Sequence, residues 1–442
     1  MANKLLIRLF DVGLGDCIYC RIPKAHESGR DFHILIDCGT LSSTEYLSKA
    51  VENLKTLLPK IDGKFRVDLL VVSHEHKDHM TGFGMDLWDD ISFGAIWMSA
   101  AMDPKHPEAE KAKKLHAFAA GAMAEALRLN LALGPDLMEL ANATALNAGA
   151  MKNLRETLPK RSKIKPTYVH AGKKDLALPL KGASISVLGP ERDIDFYYLG
   201  DEGDPKLRRA LGFIDAGLPQ VSAAVPQTVA TPTNLDPADF RQLRSRMLST
   251  ALAFADLDGK VCNNTSVVLL IEWEGKRLLF VGDAEWDGAY KEGKGNCAWN
   301  VIWNLRKKQL DGPLAFYKIG HHGSVNATPW GPTAAAKKGE PLAILNAILP
   351  EASKLGAKAI VSTRRGNYKT IPRSELLAEI GKRVSNTKSY GAAFKKSGVD
   401  TKEVPKFGEF EKDFFTEPQP LRTDLERILG SSNGYVDVEI EA

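Results

Sequence analysis

Val67-Asp68-Leu69-Leu70-Val71-Val72-Ser73-His74-Glu75-His76-Lys77-Asp78-His79 is the stretch from which the rest of the chain is read. Its apolar first half has the length and β-branched content of a buried strand. Four potential metal ligands (His74, His76, Asp78, His79) then arrive where that strand ends. Residues i and i+2 of an extended segment point the same way, so His74 and His76 can grip one ion. Asp78 and His79 follow the turn and can face a second. Imidazole combined with carboxylate suits Zn²⁺ and tolerates Mn²⁺ or Fe²⁺. The plainer alternative is a charged, solvated strand-to-helix turn. It fits poorly, because three of the chain's 10 histidines stand together directly after an apolar run.

Working outward, strands are expected at 4–10, 16–22, 32–37, 67–72, 93–100, 166–170 and 183–188, with a helix over 43–57. The alternation resumes with a hairpin at 266–271 and 277–281, then strands at 314–319 and 357–362. Helices are expected near 299–309, 341–355 and 373–384, and a final strand at 435–441. Strands alternating with helices place the chain in the α/β class. Residues 107–159 turn Ala/Leu/Lys/Glu-rich, as for amphipathic helices. Residues 191–260 hold a proline-rich loop whose Arg241, Arg244 and Arg246 could reach an anion or simply line a wet helix face.

Composition narrows the class further. Hydrophobic residues make up 44% and charged residues 26% of the 442, as in a globular protein with a real core. A net charge of +4 is too small, at this size, to announce a nucleic-acid binder, and it would not repel an anionic substrate. No apolar run approaches the ~20 residues of a membrane span, and the start reads as a first strand rather than a signal peptide. Five cysteines, odd and sparse, fit reduced thiols and a cytoplasmic setting. Cys17 and Cys20 form a CxxC inside a strand and are expected to be core thiols.

Other strand ends carry the same kinds of residue. Gly282-Asp283-Ala284-Glu285 follows one strand and Gly320-His321-His322-Gly323-Ser324 another. Loops at the carboxyl ends of α/β strands are where sites assemble. Asp283 can therefore bridge two ions, and one of the paired histidines can complete the second site. Adjacent residues diverge, so the other histidine would contact substrate or donate a proton; His321 is the expected ligand and His322 the expected catalytic partner. Asp37, ending a strand, is expected to fix a ligand histidine's tautomer, with a helix cap as its alternative. Lys318 and Ser324 are expected at a substrate phosphate, Lys318 alternatively at the surface. Asp16, Asn264 and Asn367 complete the set of positions expected behind the ligands or at the substrate.

HxHxDH at 74–79, Asp283 in LLFVGDAE and the late histidine resemble the metallo-β-lactamase superfamily. Phe10-Asp11-Val12-Gly13-Leu14-Gly15-Asp16, Asn263-Asn264-Thr265-Ser266 and Lys318-Ile319-Gly320-His321-His322-Gly323-Ser324 are similar to the ComEC-type hydrolase domain within it. The resemblance spans residues 4 to about 385. It implies a four-layer αββα sandwich with helical and loop insertions, built as a hydrolase domain over 1–390 with insertions at about 104–160 and 191–260. Residues 391–442 would be a C-terminal extension with a final strand. A dinuclear Zn or Mn site would sit between the sheets. Many relatives place a further histidine where this chain has Asn263-Asn264, leaving one ion to be completed by Asp16, water or the distant His170. A histidine that ComEC-like domains often place before a proline is Ile371 here.

Two metals suit an in-line displacement at phosphorus. The expected function is thus a metal-dependent hydrolase, a phosphodiesterase or nuclease acting on nucleic acid or a nucleotide with a metal-activated hydroxide as nucleophile. Hydrolysis of an ester, lactone or thioester is the alternative, and a non-catalytic binding or regulatory module the second. The hard carboxylate at 283 and the lack of an export signal speak against β-lactam hydrolysis.

Overall fold

A computed structural model describes residues 3–106, 147–174, 176–193, 197, 261–292, 295–324, 326–330, 339–350, 356–363, 371–384, 425–427 and 434–442. Most of the two segments read as insertions, the three arginines at 241–246 and Asn367 lie outside them. In chain order the strands are β1 (Lys4–Phe10), β2 (Ile18–Ile22), β3 (Phe32–Ile36), β4 (Lys60–Ile61), β5 (Lys64–Val72), β6 (Ile91–Ser99), β7 (Thr167–Val169) and β8 (Ala183–Gly189). They continue as β9 (Val268–Trp273), β10 (Lys276–Phe280), β11 (Phe316–Ile319), β12 (Lys358–Val361), β13 (Leu425–Arg427) and β14 (Tyr435–Glu441). One sheet runs β14-β1-β2-β3-β5-β6-β7 with β4 on β5, and the other β13-β12-β11-β10-β9-β8. The molecule is a mixed α/β fold of two sheets and helices.

Among the described residues the four longer helices are α1 (Thr44–Lys55), α2 (Ala298–Leu310), α3 (Glu340–Ile348) and α4 (Ser374–Arg383). Ser43 caps α1 by accepting from the amide of Glu45, so the alternative role for Asp37 as a cap falls away. Helix α3 stops at Ile348, well short of the expected 355. Pro350 follows two residues later and disfavours the helical conformation at Leu349, which sits at φ −135°, ψ 75°.

Alternation along β1 shows how the core divides. Leu5, Ile7 and Leu9 join Leu269, Ile271, Phe280 and Phe316 in a core shared by the two sheets. Leu6 and Phe10, pointing the other way, pack with Leu47, Val51 and Leu54 of α1. Leu279, Tyr317 and Val361 of the second sheet pack with Trp299, Ile302, Leu345 and Leu377 from α2, α3 and α4. Ala150, Leu154 and Leu158, at the end of the first segment read as an insertion, join the α1 core. The final strand is an edge of the first sheet, paired with β1 from Lys4↔Glu441 to Phe10↔Tyr435. Among the described residues no helix is long and apolar enough to cross a membrane.

Strand direction positions the site. β3, β5, β6 and β7 are mutually parallel, as are β10, β11, β12 and β13. Their carboxyl ends therefore gather on one side of each sheet. The two sheets are tied there by the amide of Val267, which donates to Ser73 O over 2.9 Å.

Candidate metal centre

Strand β5 ends at Val72; the chain bends at Glu75, and His76 is extended (φ −68°, ψ 150°) before a helical turn at Lys77–Met80. That places His74 and His76 on either side of the bend and Asp78 and His79 on the turn. Gly15 and Gly39 pack directly on the backbone of Asp78 and His79, where a Cβ at either position would collide. The turn is thus held from below by the β1–β2 loop and the end of β3.

Asp37 follows β3 in a left-handed conformation (φ 57°) that aims its carboxylate back at the site. Oδ1 accepts from the Ser73 amide (2.7 Å), and Oδ2 from Ser73 Oγ (2.7 Å) and His79 Nδ1 (2.8 Å). With Nδ1 donating there, His79 Nε2 is turned toward Asp283 Oδ2 at 3.2 Å and Asp78 Oδ2 at 3.5 Å, where a bound ion would replace its proton. His74 Nδ1 meets Ser73 Oγ (3.0 Å) and Ser266 Oγ (3.2 Å), while its Nε2 lies 3.1 Å from His76 Nδ1 and 3.8 Å from Asp283 Oδ2.

Three donor groups result among the described residues. Asp78, His79, Asp283 and His322 form one, His74, His76 and Asp283 a second, and Asp16, Asp37 and His79 a third; within each the donor atoms lie within 4.8 Å of one another. Asp283 belongs to the first two. A buried carboxylate oxygen without a hydrogen bond is costly, yet Asp78 Oδ1 and Asp283 Oδ1 are buried with no hydrogen-bond partner among the described residues. Imidazoles and carboxylates gathered with open lone pairs are the donor set of a borderline divalent cation. These residues fit one or more such ions.

Electrostatics agree with charged acids and a divided set of histidines. Burial pushes the Asp78 and Asp283 carboxyls upward, but the neighbouring His79 and His322 outweigh it and hold both well below the usual range. His79 moves the other way: burial lowers it, and Asp283, Asp78 and Asp37 raise it well above an ordinary imidazole. Burial, reinforced by His79 and His76, drives His74 far down, so its ring stays neutral.

Of the paired histidines it is His322, not His321, that enters the cluster, which corrects the expectation. His322 Nε2 lies 2.7 Å from Asp78 Oδ2, while His321 Nδ1 turns to Ser324 Oγ (3.0 Å) and Glu285 Oε1 (3.3 Å). Both residues sit in the left-handed region (φ 41° and 50°), which swings the second ring inward. Lys318 is neither at the surface nor open to a phosphate: it is buried and paired with Asp16 Oδ2 at 2.9 Å. Asn264 serves structure, its Oδ1 accepting from the amides of Glu285 (3.2 Å) and Ala298 (2.7 Å) at the start of α2. Ser324 bonds His321 and Asn326. Asn367 lies outside the described residues. Cys17 and Cys20 are buried, as a core position requires.

Sequence reasoning missed the hydroxyls of Ser73 and Ser266, both on His74 Nδ1, and the buried Glu285. Ser73 directly precedes the first ligand histidine and Glu285 follows Asp283 by two, so their positions were the available signal. Compared with protein-family models and with curated proteins, the chain matches none.

Proposed function

We propose that this chain is a metal-dependent hydrolase of the metallo-β-lactamase superfamily, with the four-layer αββα arrangement, cleaving phosphodiester bonds in nucleic acid or a nucleotide. The observation that carries the reading is the sharing of Asp283 by two buried donor groups. Asp78, His79, Asp283 and His322 would hold one divalent ion, Zn or Mn, and His74, His76 and Asp283 the other. Such a pair supplies an activated water and neutralises charge on the phosphoryl oxygens.

The chain's own residues do the preparation. Asp37 keeps a proton of His79 on Nδ1, so that Nε2 is the nitrogen an ion would take. Ser73 and Ser266 hold the His74 ring from its far nitrogen. The Asp283 amide donates to Ser266 Oγ (3.1 Å), which fixes the shared carboxylate relative to β9. His321, 21% exposed at its side chain and backed by Glu285, stands beside the cluster where a substrate oxygen could reach it.

The test is hydrolysis of bis-p-nitrophenyl phosphate, single-stranded DNA and a lactone by metal-supplemented wild type and Asp78→Ala. Turnover of the first two, lost in the variant, is expected. Cleavage of the lactone alone would overturn the phosphodiesterase assignment.

A further inference from the structure

Lys318 and Asp16 are a buried ion pair outside the two donor groups that share Asp283, with Asp16 also standing beside Asp37 and His79. Lys318 lies on β11 and is 1% exposed; its Nζ donates to Asp16 Oδ2 (2.9 Å) and to Ile319 O (3.0 Å). Asp16, also 1% exposed, belongs to the β1–β2 loop of the other sheet. Its backbone is tied to the ligand turn: Asp16 N donates to Asp78 O (2.9 Å), and Asp16 O accepts from Gly39 N (3.0 Å). On the opposite side Lys318 stands four residues before His322, whose Nε2 meets Asp78 Oδ2 at 2.7 Å. The four residues close a ring across the sheets: Lys318 to Asp16, Asp16 to Asp78, Asp78 to His322, and back through the turn after β11.

Burying an ion pair stabilises a fold little or not at all relative to an apolar pair of equal size. What a pair in this place does supply is distance and direction, because a charged partner on each sheet fixes their separation at the ligand end. We infer that the Lys318–Asp16 pair is a strut between the two sheets that positions Asp78 and His322 for the ion they would share. The inference rests on the metal reading above and makes both members positioning residues.

The experiment titrates cobalt(II) into metal-free, full-length protein. It reads the visible absorption bands and the cobalt retained per chain after desalting. The double variant Lys318→Met/Asp16→Asn removes both charges, so none is left buried alone. Asp68→Asn is the control: it breaks the Arg30–Asp68 pair (2.5 Å) in the body of β5, away from the ligands. The double variant should bind one of two cobalt ions about 10- to 100-fold more weakly, with altered bands, the range for lost outer-shell support. Asp68→Asn should load and absorb as wild type does. Wild-type loading and bands in the double variant would overturn the strut and leave the metal reading standing. The same loss in Asp68→Asn would also overturn it, since stability alone would then govern loading. A wild type that takes up no cobalt overturns the metal reading and the strut with it. Should circular dichroism show the double variant unfolded, Lys318→Arg replaces it, keeping the charge in a different geometry; unchanged bands there overturn the strut.

Discussion

Replacing Asp37 by asparagine isolates what an outer carboxylate does for its histidine. The left-handed backbone at φ 57° is one that asparagine adopts readily and alanine does not, at roughly 1–2 kcal/mol. The introduced amide can keep its oxygen on the Ser73 N–H, the bond now made by Oδ1 of Asp37. Its NH₂ then takes the place of Oδ2, facing Ser73 Oγ and His79 Nδ1. The serine hydroxyl can rotate and accept, but His79 Nδ1 must give up its proton. The other tautomer puts N–H on Nε2, aimed at Asp78 and Asp283, and the lone pair needed by an ion is gone. Loss of such support weakens metal binding about 10- to 100-fold, or roughly 1.4–2.8 kcal/mol. Competition against a chromophoric zinc chelator measures this directly, with a thermal melt of the metal-free protein to confirm folding. A folded Asp37→Asn protein that holds zinc as tightly as wild type would refute the tautomer argument.

His322→Ala should lower retained metal from two ions to one per chain in elemental analysis, whereas His321→Ala should keep both; the reverse pattern would sink the assignment of the inward ring. A second expectation concerns acid stability. Burial lowers the His33 imidazole to about 4 from 6.5, and Tyr19 Oη contacts its Nδ1 at 2.8 Å. Because the folded value is the depressed one, its contribution is complete above pH 6.5 and is lost as pH falls toward 4, by about 3 kcal/mol in all. Urea melts of wild type and His33→Leu at several pH values should show a flatter acid limb in the variant, and parallel curves would count against it.

The ligand turn and Asp283 were legible because ligand-type residues directly follow apolar runs, and apolar runs of that length become strands. The order of His321 and His322 was not, since two consecutive left-handed residues leave no trace in periodicity. Lys318 shares its parity along β11 with Phe316, which faces the core between the sheets. Its charge therefore had to find a partner there, and that partner lies 302 positions away. Pairings across such a span are invisible to a local window. Serines 73 and 266 escaped for a different reason: the residue type is too common at strand ends to signal contact with a ring nitrogen. Along β1 and β14 the expected strands and the observed ones coincide, because a short, nearly unbroken apolar run in the one and strict apolar alternation in the other permit little else.

Closing the first sheet with β14 has a price during synthesis. Lys4 and Glu439, hydrogen-bonded in the finished protein, are 435 positions apart. A nascent chain on the ribosome thus carries β1 with one open flank of amide and carbonyl groups until residues 435–441 have been made. Both faces of that strand are apolar, which makes it a template for neighbouring chains on the same polysome. The interval before residues 435–441 emerge, rather than the folded state, is when this chain is most exposed to self-association.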